Sequence, residues 1–451
     1  MTDTLENADF HVNCGNASLT QGDLFAAAES YRKALSLDPL HFAARLKLAH
    51  VLKISKDYNG AEVILRALAA EYPDNALVHK EFGRLNFARE KIDEAFASFQ
   101  AVLVLSPDDA DTHHWLANIE HVRGNAAASQ FHYQRSVALK PLMRVPAAKT
   151  PADFSVLFLF APGAANTPPD ALIKMADYDS YFLLLVAGVE YDAKQLRNSA
   201  NLVVNLISDV DQGREILPVA EALVERIGLP VINSPRGIMK TDRVSAATLL
   251  SGIPFCHVPW ARYYDNTDYS WPVLVRVAGT HGGKDFEKID DKASLKNFVT
   301  RYPNADFYVT EYIDYQSADG FFRKYRFIFA GDKILPYHLA IGNGWKVHHA
   351  TTDMADHAWM QREEESFLQN PHSVFNKDHW AALHTIRKAF GLDFFGIDCA
   401  IDNEGNLVVF EVNASMLVHR EGEKFIYKLP HIDCIKSAFD AMLRNRALKI
   451  Q

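Results

Sequence analysis

Cysteine is scarce in this chain. Its 451 residues include four, Cys14, Cys256, Cys399 and Cys434, far apart and with no C-x-x-C. That excludes a disulfide scaffold and a zinc finger and fits a reducing cytoplasm, the expected location. Long apolar runs are also missing. YFLLLVAGV falls far short of the roughly 20 residues that span a bilayer. The first residues, MTDTLENADF, are acidic without an apolar core, so no secretory signal is expected. Net basic charge is absent: 47 Lys and Arg stand against 56 Asp and Glu, giving −9. Such a chain has no general attraction for nucleic acid or an anionic membrane, and neither is an expected partner; a local basic cleft can still hold phosphate. With 48% apolar and 23% charged residues, wholesale disorder is excluded. The length allows about two to four domains.

What is present first is a repeat. Pro39, Pro73, Pro107 and Pro141 recur at an interval of 34 residues. In phase with them stand Gly15, Ala49, Gly83 and Ala117, then Ala27, Ala61, Ala95 and Ser129, then Tyr31, Leu65, Phe99 and Tyr133. Small residues in two columns let paired helices approach, a large apolar residue fills the groove beside them, and proline ends the second helix. Residues 8–141 thus resemble four tetratricopeptide repeats (TPR), whose period is 34. The signature tryptophan column departs, holding His11, Arg45, His79 and His113. Four repeats exceed the roughly three that a stable stack needs. The resemblance implies an all-α solenoid whose concave face docks a peptide or protein partner; the alternative is that the repeats only dimerise the chain or brace a neighbouring domain.

Residues 142–153, LMRVPAAKTPAD, read as a linker. From Phe154 the pattern changes. SVLFLFAPG, YFLLLVAG, ANLVVNLIS and LPVINSP have strand length, and 213–228 has helical periodicity. Residues 154–235 therefore read as a small α/β domain with a parallel sheet. Residues 236–451 begin with a helix expected over 238–251 and continue through alternating runs that suggest antiparallel strands.

The strongest chemical signal is FGIDCAIDNEGNLVVFEVNAS, residues 395–415. It reads as two strands joined by a turn at 403–406. If Asp402 pairs with Leu407, Asp398 lies across from Glu411, with Asn413 on the same face. Opposed like charges destabilise a sheet. Either a divalent cation relieves the conflict, or one acid turns to solvent or is held neutral. Two carboxylates and an amide oxygen are hard ligands suited to Mg²⁺.

Upstream lie anion-binding features. VLVRVAGTHGGK puts Arg276 on a strand, followed by a loop with Gly279, Gly282, Gly283 and Lys284, whose N–H groups can cradle phosphate. The loop lacks the Walker form and by itself also reads as a flexible hairpin. FYVTEYID (307–314) offers an edge for adenine, with Glu311 near its amino group. RKYR places Lys324 and Arg326 on one strand face, either solvated or meeting phosphate.

In this order the features of residues 154–451 resemble the ATP-grasp superfamily, nearest to its glutathione synthetase-like and D-alanine–D-alanine ligase-like members. The resemblance implies an α/β pre-ATP-grasp domain (154–235) and an α+β ATP-grasp domain (236–451) that clasps ATP between two subdomains. It implies Asp398, Glu411 and Asn413 as Mg²⁺ ligands. Arg276 and Lys284 would contact phosphates beside Gly282 and Gly283, with Lys324 alongside. Glu311, Tyr312 and Ile313 would receive adenine, and Asp319 the ribose. Arg326 would stabilise the transferring phosphoryl group. Arginine stands where the family has lysine at two places, Arg276 and Arg243, the latter in Asp242-Arg243 with Lys240 as a competitor; the fork keeps charge but changes geometry.

The implied reaction is ADP-forming ligation: ATP phosphorylates a carboxylate, an amine attacks the acyl phosphate, and an amide forms. The alternatives are a phosphotransferase and a nucleotide-binding scaffold without ligase activity. His338 and His348 are candidates for binding the acceptor carboxylate or taking the amine's proton, with Lys346 beside His348. Two nearby histidines also invite zinc, but no ligand spacing supports it. The helix around Glu363–Glu365 reads as a solvated acidic face.

Overall fold

The computed structural model describes residues 7–163, 165–173, 176–280, 285–347, 352–419 and 422–448. Contacts divide the chain into two units, Met1–Pro141 and Leu142–Gln451. The first consists of helix pairs: α1 (Ala8–Gln21) with α2 (Leu24–Leu37), α3 (Phe42–Ile54) with α4 (Tyr58–Glu71), α5 (Ala76–Ala88) with α6 (Ile92–Leu105), and α7 (Ala110–Val122) with α8 (Ala126–Leu139). First helices begin at 8, 42, 76 and 110, so the proline interval is the interval of the fold. Each is capped by a side chain accepting a free backbone N–H, from Asn7, His41, Asn75 and Asp109. The small columns do what their size suggests. A Cβ added at Gly83 would lie 2.7 Å from the Phe99 ring, and one at Gly15 would lie 2.6 Å from the Tyr31 ring. The residues in the tryptophan column take polar work instead. Arg45 donates to both carboxylate oxygens of Glu71 at 2.7 and 2.8 Å. His79 and His113 bond through Nε2 to the carbonyls of Pro73 and Pro107, at 2.7 and 3.0 Å.

The second unit opens with a sheet of order β1-β3-β2-β4-β5, made of β1 (Met143–Val145), β2 (Ser155–Phe160), β3 (Asp179–Leu184), β4 (Leu202–Asn205) and β5 (Val231–Ile232). Its connections carry α9 (Asp170–Ile173), α10 (Ala193–Ser199) and α11 (Leu217–Ile227). Strands β2 to β5 pair in parallel, and β1 pairs antiparallel to β3. Part of the segment expected as a linker, 142–153, is therefore an edge strand. Arg144 fastens it to Asp179 at 2.9 Å, and Pro146 follows the strand, where a missing N–H costs no ladder bond.

After α12 (Pro235–Ile238) and α13 (Arg243–Leu250), two further sheets form. The helix expected at 238–251 starts later, where the Asp242 side chain accepts from Val244 and Ser245 N–H. One sheet has order β7-β10-β8-β9, from β7 (Ala261–Tyr263), β8 (Val273–Val277), β9 (Phe286–Ile289) and β10 (Phe307–Glu311), with α14 (Lys292–Thr300) against it. The other has order β12-β11-β13-β14-β6 and combines β6 (Cys256–His257), β11 (Phe322–Ala330), β12 (Lys333–Gly342), β13 (Phe394–Ile401) and β14 (Leu407–Asn413). Apart from β6, which runs parallel to β14, the pairing in both is antiparallel. The helices α15 (Ala358–Gln369), α16 (Lys377–Ala389) and α17 (Leu429–Leu448) complete the unit. One core cluster joins Phe158 of the parallel sheet to Ile328 and Phe394 of the third sheet through Ile435 and Phe439 of α17.

Helix α15 is not the solvated acidic helix expected. Met360, Glu364, Phe367 and Leu368 form its buried stripe, and Glu364 is fully enclosed. Its Oε1 lies 2.5 Å from His338 Nδ1 and 3.2 Å from Lys428 Nζ, while Oε2 accepts from Tyr427 Oη at 2.6 Å. Burial pushes this carboxyl up, but His338 and Lys428 outweigh it and hold it at about 2 against an ordinary 4.5.

Two outcomes are expected. Gly83→Ala forces a methyl against Phe99 and should lower stability by about 1–3 kcal/mol in urea melts, with partial recovery in Gly83→Ala/Phe99→Leu. The depressed carboxyl of Glu364 binds fewer protons folded than unfolded, so its contribution is complete above 4.5 and vanishes as pH falls through about 2. The urea midpoint of Glu364→Gln should therefore fall less between about pH 6 and pH 3 than that of the parent.

Candidate functional site

The hairpin β13–β14 sets the centre of the site. Ile401 pairs with Leu407, one residue short of the expected Asp402–Leu407 pair. A bulge then leaves Phe410 without a partner and shifts the register between Asp398 and Cys399, so Asp398 faces Glu411 after all. On the other side of β13, Asp398 faces Arg326 of β11.

Cations, not solvent, answer the two acids. Arg326 donates to Asp398 from Nε at 2.6 Å and Nη2 at 3.1 Å, a bidentate fork. Lys324 Nζ lies 3.0 Å from the same carboxylate. Arg243, the first residue of α13, donates to Glu411 Oε2 at 3.0 Å. Burial pushes the Asp398 carboxyl up, yet Arg326 and Lys324 hold it far below its usual value. Burial also opposes the charge on Glu411, and Arg243 and Arg276 overcome it. Arg276 is itself lowered to about 10 by burial and by Arg243. A guanidinium destabilised in this way gains from a bound anion.

These groups line a cavity of about 400 Å³, a size ordinary for a ligand pocket. Arg243, Arg276, Lys324, Arg326 and Lys346 supply its positive charge; Asp209, Glu311, Asp398 and Glu411 supply the negative. Glu311, Tyr312 and Ile313 sit together on its wall. The Glu311 carboxylate accepts from Trp260 N–H at 3.2 Å, which fixes its direction. Nearby, Trp345 meets Phe286 edge to face at 5.3 Å and accepts from Tyr315 Oη through its carbonyl at 2.7 Å. Phe410 and Leu274 extend this apolar side.

The structure thus brings together Arg243, Arg276, Glu311, Tyr312, Ile313, Lys324, Arg326, Asp398, Glu411 and Asn413. It does not bring in His338, which does not line the cavity and lies with Glu364 and Lys428. Nor does it bring in Asp319, whose carboxylate is taken by Arg323 at 2.7 and 2.9 Å. Gly282, Gly283, Lys284 and His348 lie outside the described residues. Asp209 and Trp345 are wall residues that sequence reasoning missed; neither stands in a motif, and each arrives from a separate loop.

A divalent cation fits the donor set chemically. Asp398 and Glu411 offer hard oxygens from facing strands, a number Mg²⁺ accepts when phosphates supply the rest. Asn413 is less available, because its Oδ1 accepts from Ser415 N–H at 2.6 Å. Among the described residues no three His, Cys, Asp or Glu side chains are grouped to hold a metal. No described helix is long and apolar enough to cross a membrane.

Residues 18–80 match the tetratricopeptide repeat family. No curated protein matches the chain. Among solved structures, a fragment of MamA from Desulfovibrio magneticus RS-1 is 23% identical with a TM-score of 0.28, the match covering 30% of this chain and 76% of that one. The VanG D-Ala:D-Ser ligase from Enterococcus faecalis is 14% identical with a TM-score of 0.42, over 65% of this chain and 99% of that one. The D-alanine–D-alanine ligase from Bacillus anthracis, complexed with ATP, is 12% identical with a TM-score of 0.39, over 66% and 98%. At such values these likenesses assign no residue and no reaction, which must rest on the geometry.

Proposed function

We propose that the second unit is an ATP-dependent carboxylate–amine ligase, forming ADP and an amide through an acyl phosphate. The observation that carries this reading is the convergence of Arg243, Arg276, Lys324 and Arg326 on two facing carboxylates in one cavity. Carboxylates alone would suit many cations, and arginines alone many anions. Both sets together suit a polyphosphate that arrives with its metal.

On this reading Glu311 accepts from the adenine amino group, and the backbone of Tyr312 and Ile313 frames the ring edge. The aromatic side around Trp345 and Phe286 excludes water from the base. Arg276 and Arg243 neutralise phosphate oxygens. Arg326 and Lys324 stabilise the charge on the group in transfer, a contribution of position and field rather than of covalent chemistry. Asp398 and Glu411 would hold Mg²⁺, with Asn413 at the edge of that set. When bound, the ion supplies charge neutralisation along the phosphate chain. Lys346, on the same wall, is placed to receive the carboxylate before activation. His338 has no part in this account.

The tetratricopeptide repeats would present a peptide or protein-linked substrate, with small-molecule or peptide amines as acceptors. A cytoplasmic location supplies ATP and fits the free thiols.

The test is release of ADP and phosphate from MgATP with panels of amino acids and peptides as carboxylate and amine, followed by mass spectrometry for the amide. Turnover that needs both partners supports the ligase; ATP hydrolysis indifferent to either counts against it. A stable phosphorylated product without amide would reassign it as a phosphotransferase. Asp398→Asn and Glu411→Gln are each expected to abolish turnover. Removing residues 1–141 is expected to spare MgATP affinity and raise the concentration of natural substrate required; unchanged kinetics would remove the docking role.

A further inference from the structure

The structure holds Arg276 in place from two directions. Its Nη1 donates to the Thr280 carbonyl at 2.9 Å, and its chain lies directly across from Tyr308 in the β8–β10 ladder. Both supports lead to one carboxylate. Asp211, in the loop after β4 of the parallel sheet, accepts from Gly279 N–H through Oδ2 at 3.1 Å and from Tyr308 Oη through Oδ1 at 2.8 Å. The neighbouring Gln212 Nε2 donates to the Gly279 carbonyl at 3.2 Å, so Gly279 is gripped on both sides of its peptide frame. Gly279 has φ +73°, a left-handed turn that glycine adopts without strain, and Thr280 then turns its carbonyl to the guanidinium. Tyr308 is buried and meets Tyr263 Oη at 3.3 Å as well.

We infer that Asp211 is a positioning residue for Arg276. The α/β part of the chain thereby sets the geometry of phosphate binding without touching phosphate. The inference rests on the proposed reading of the cavity as an ATP site. Its chemistry is ordinary: a carboxylate accepting two charge-assisted hydrogen bonds orders the donors, and those donors order a third group. A carboxylate used only to join two sheets would have no reason to fasten both elements that flank one guanidinium.

The test is a double-mutant cycle on the full chain, with MgATP affinity read by calorimetry in the parent, Asp211→Ala, Arg276→Ala and the pair. Asp211→Ala is expected to weaken binding about tenfold, as for a lost hydrogen bond to a charged group, and to add little once Arg276 is gone. Hydrogen exchange should show the Gly279 amide losing protection in Asp211→Ala, whatever the nucleotide does. Tyr308→Phe removes one of the two bonds with little change of volume, and its smaller loss should likewise disappear in the Arg276→Ala background. If Asp211→Ala does not fold, this milder variant carries the cycle. Equal losses in both backgrounds, or parental affinity in Asp211→Ala, overturn the inference while leaving the ATP site standing. Absence of MgATP binding to the parent overturns the ATP reading itself, and the inference with it.

Discussion

Two carboxylates facing each other across paired strands repel, and burial makes the repulsion costlier. This chain does not escape by moving one acid to water. It places Asp398 between Arg326 and Lys324 and gives Glu411 to Arg243. Each cation comes from a different element from the acid it serves: the neighbouring strand β11 for Asp398, the start of α13 for Glu411. The charges are in place only once β11 has paired with β13 in the third sheet and α13 has packed beside β14. In the proposed reaction the same cations would meet phosphate, and the two carboxylates would hold the accompanying metal.

The repeats were legible almost to the residue because their information is local and periodic. Small residues at Gly15 and Gly83 and large ones at Tyr31 and Phe99 report a contact between consecutive helices, and the helix starts fall in step with the prolines. What was not legible was the use of the tryptophan column. His79 and His113 reach the carbonyls of proline turns six residues back, a geometry that exists only once those turns have formed.

The site divides along the same line. Asp398 and Glu411 could be matched from sequence since a short turn joins their strands. The match was right through two offsets: pairing began one residue earlier than expected, and the bulge at Phe410 restored it. A slip without that bulge would have put Phe410 opposite Asp398. His338 lies apart from the cavity for the opposite reason. It stands near the predicted site in sequence, but its partners, Glu364 and Lys428, come from distant helical segments. Glu364 looked solvated because acids flank it; in fact it occupies a position of the apolar stripe, where only a paired charge is tolerable.

The parallel sheet accounts for the remaining part of the site. Its order sets β2 beside β4, and the chain leaves β2 toward β3 but leaves β4 toward β5, in opposite directions; loops beyond the carboxyl ends of such strands are where open α/β sheets bind ligands. Both loops here reach toward the cavity. After β2, Thr167 Oγ1 donates to the Ala414 carbonyl at 2.9 Å, just past the acidic hairpin. After β4, Asp209 joins the cavity wall while Asp211 and Gln212 hold Gly279. One loop therefore braces the strand that carries Glu411 and Asn413, and the other braces the strand that carries Arg276. A sheet placed only for stability would need neither connection. Its switch point instead touches the supports of both the acids and the cation, which ties the shape of the α/β part to the spacing between them.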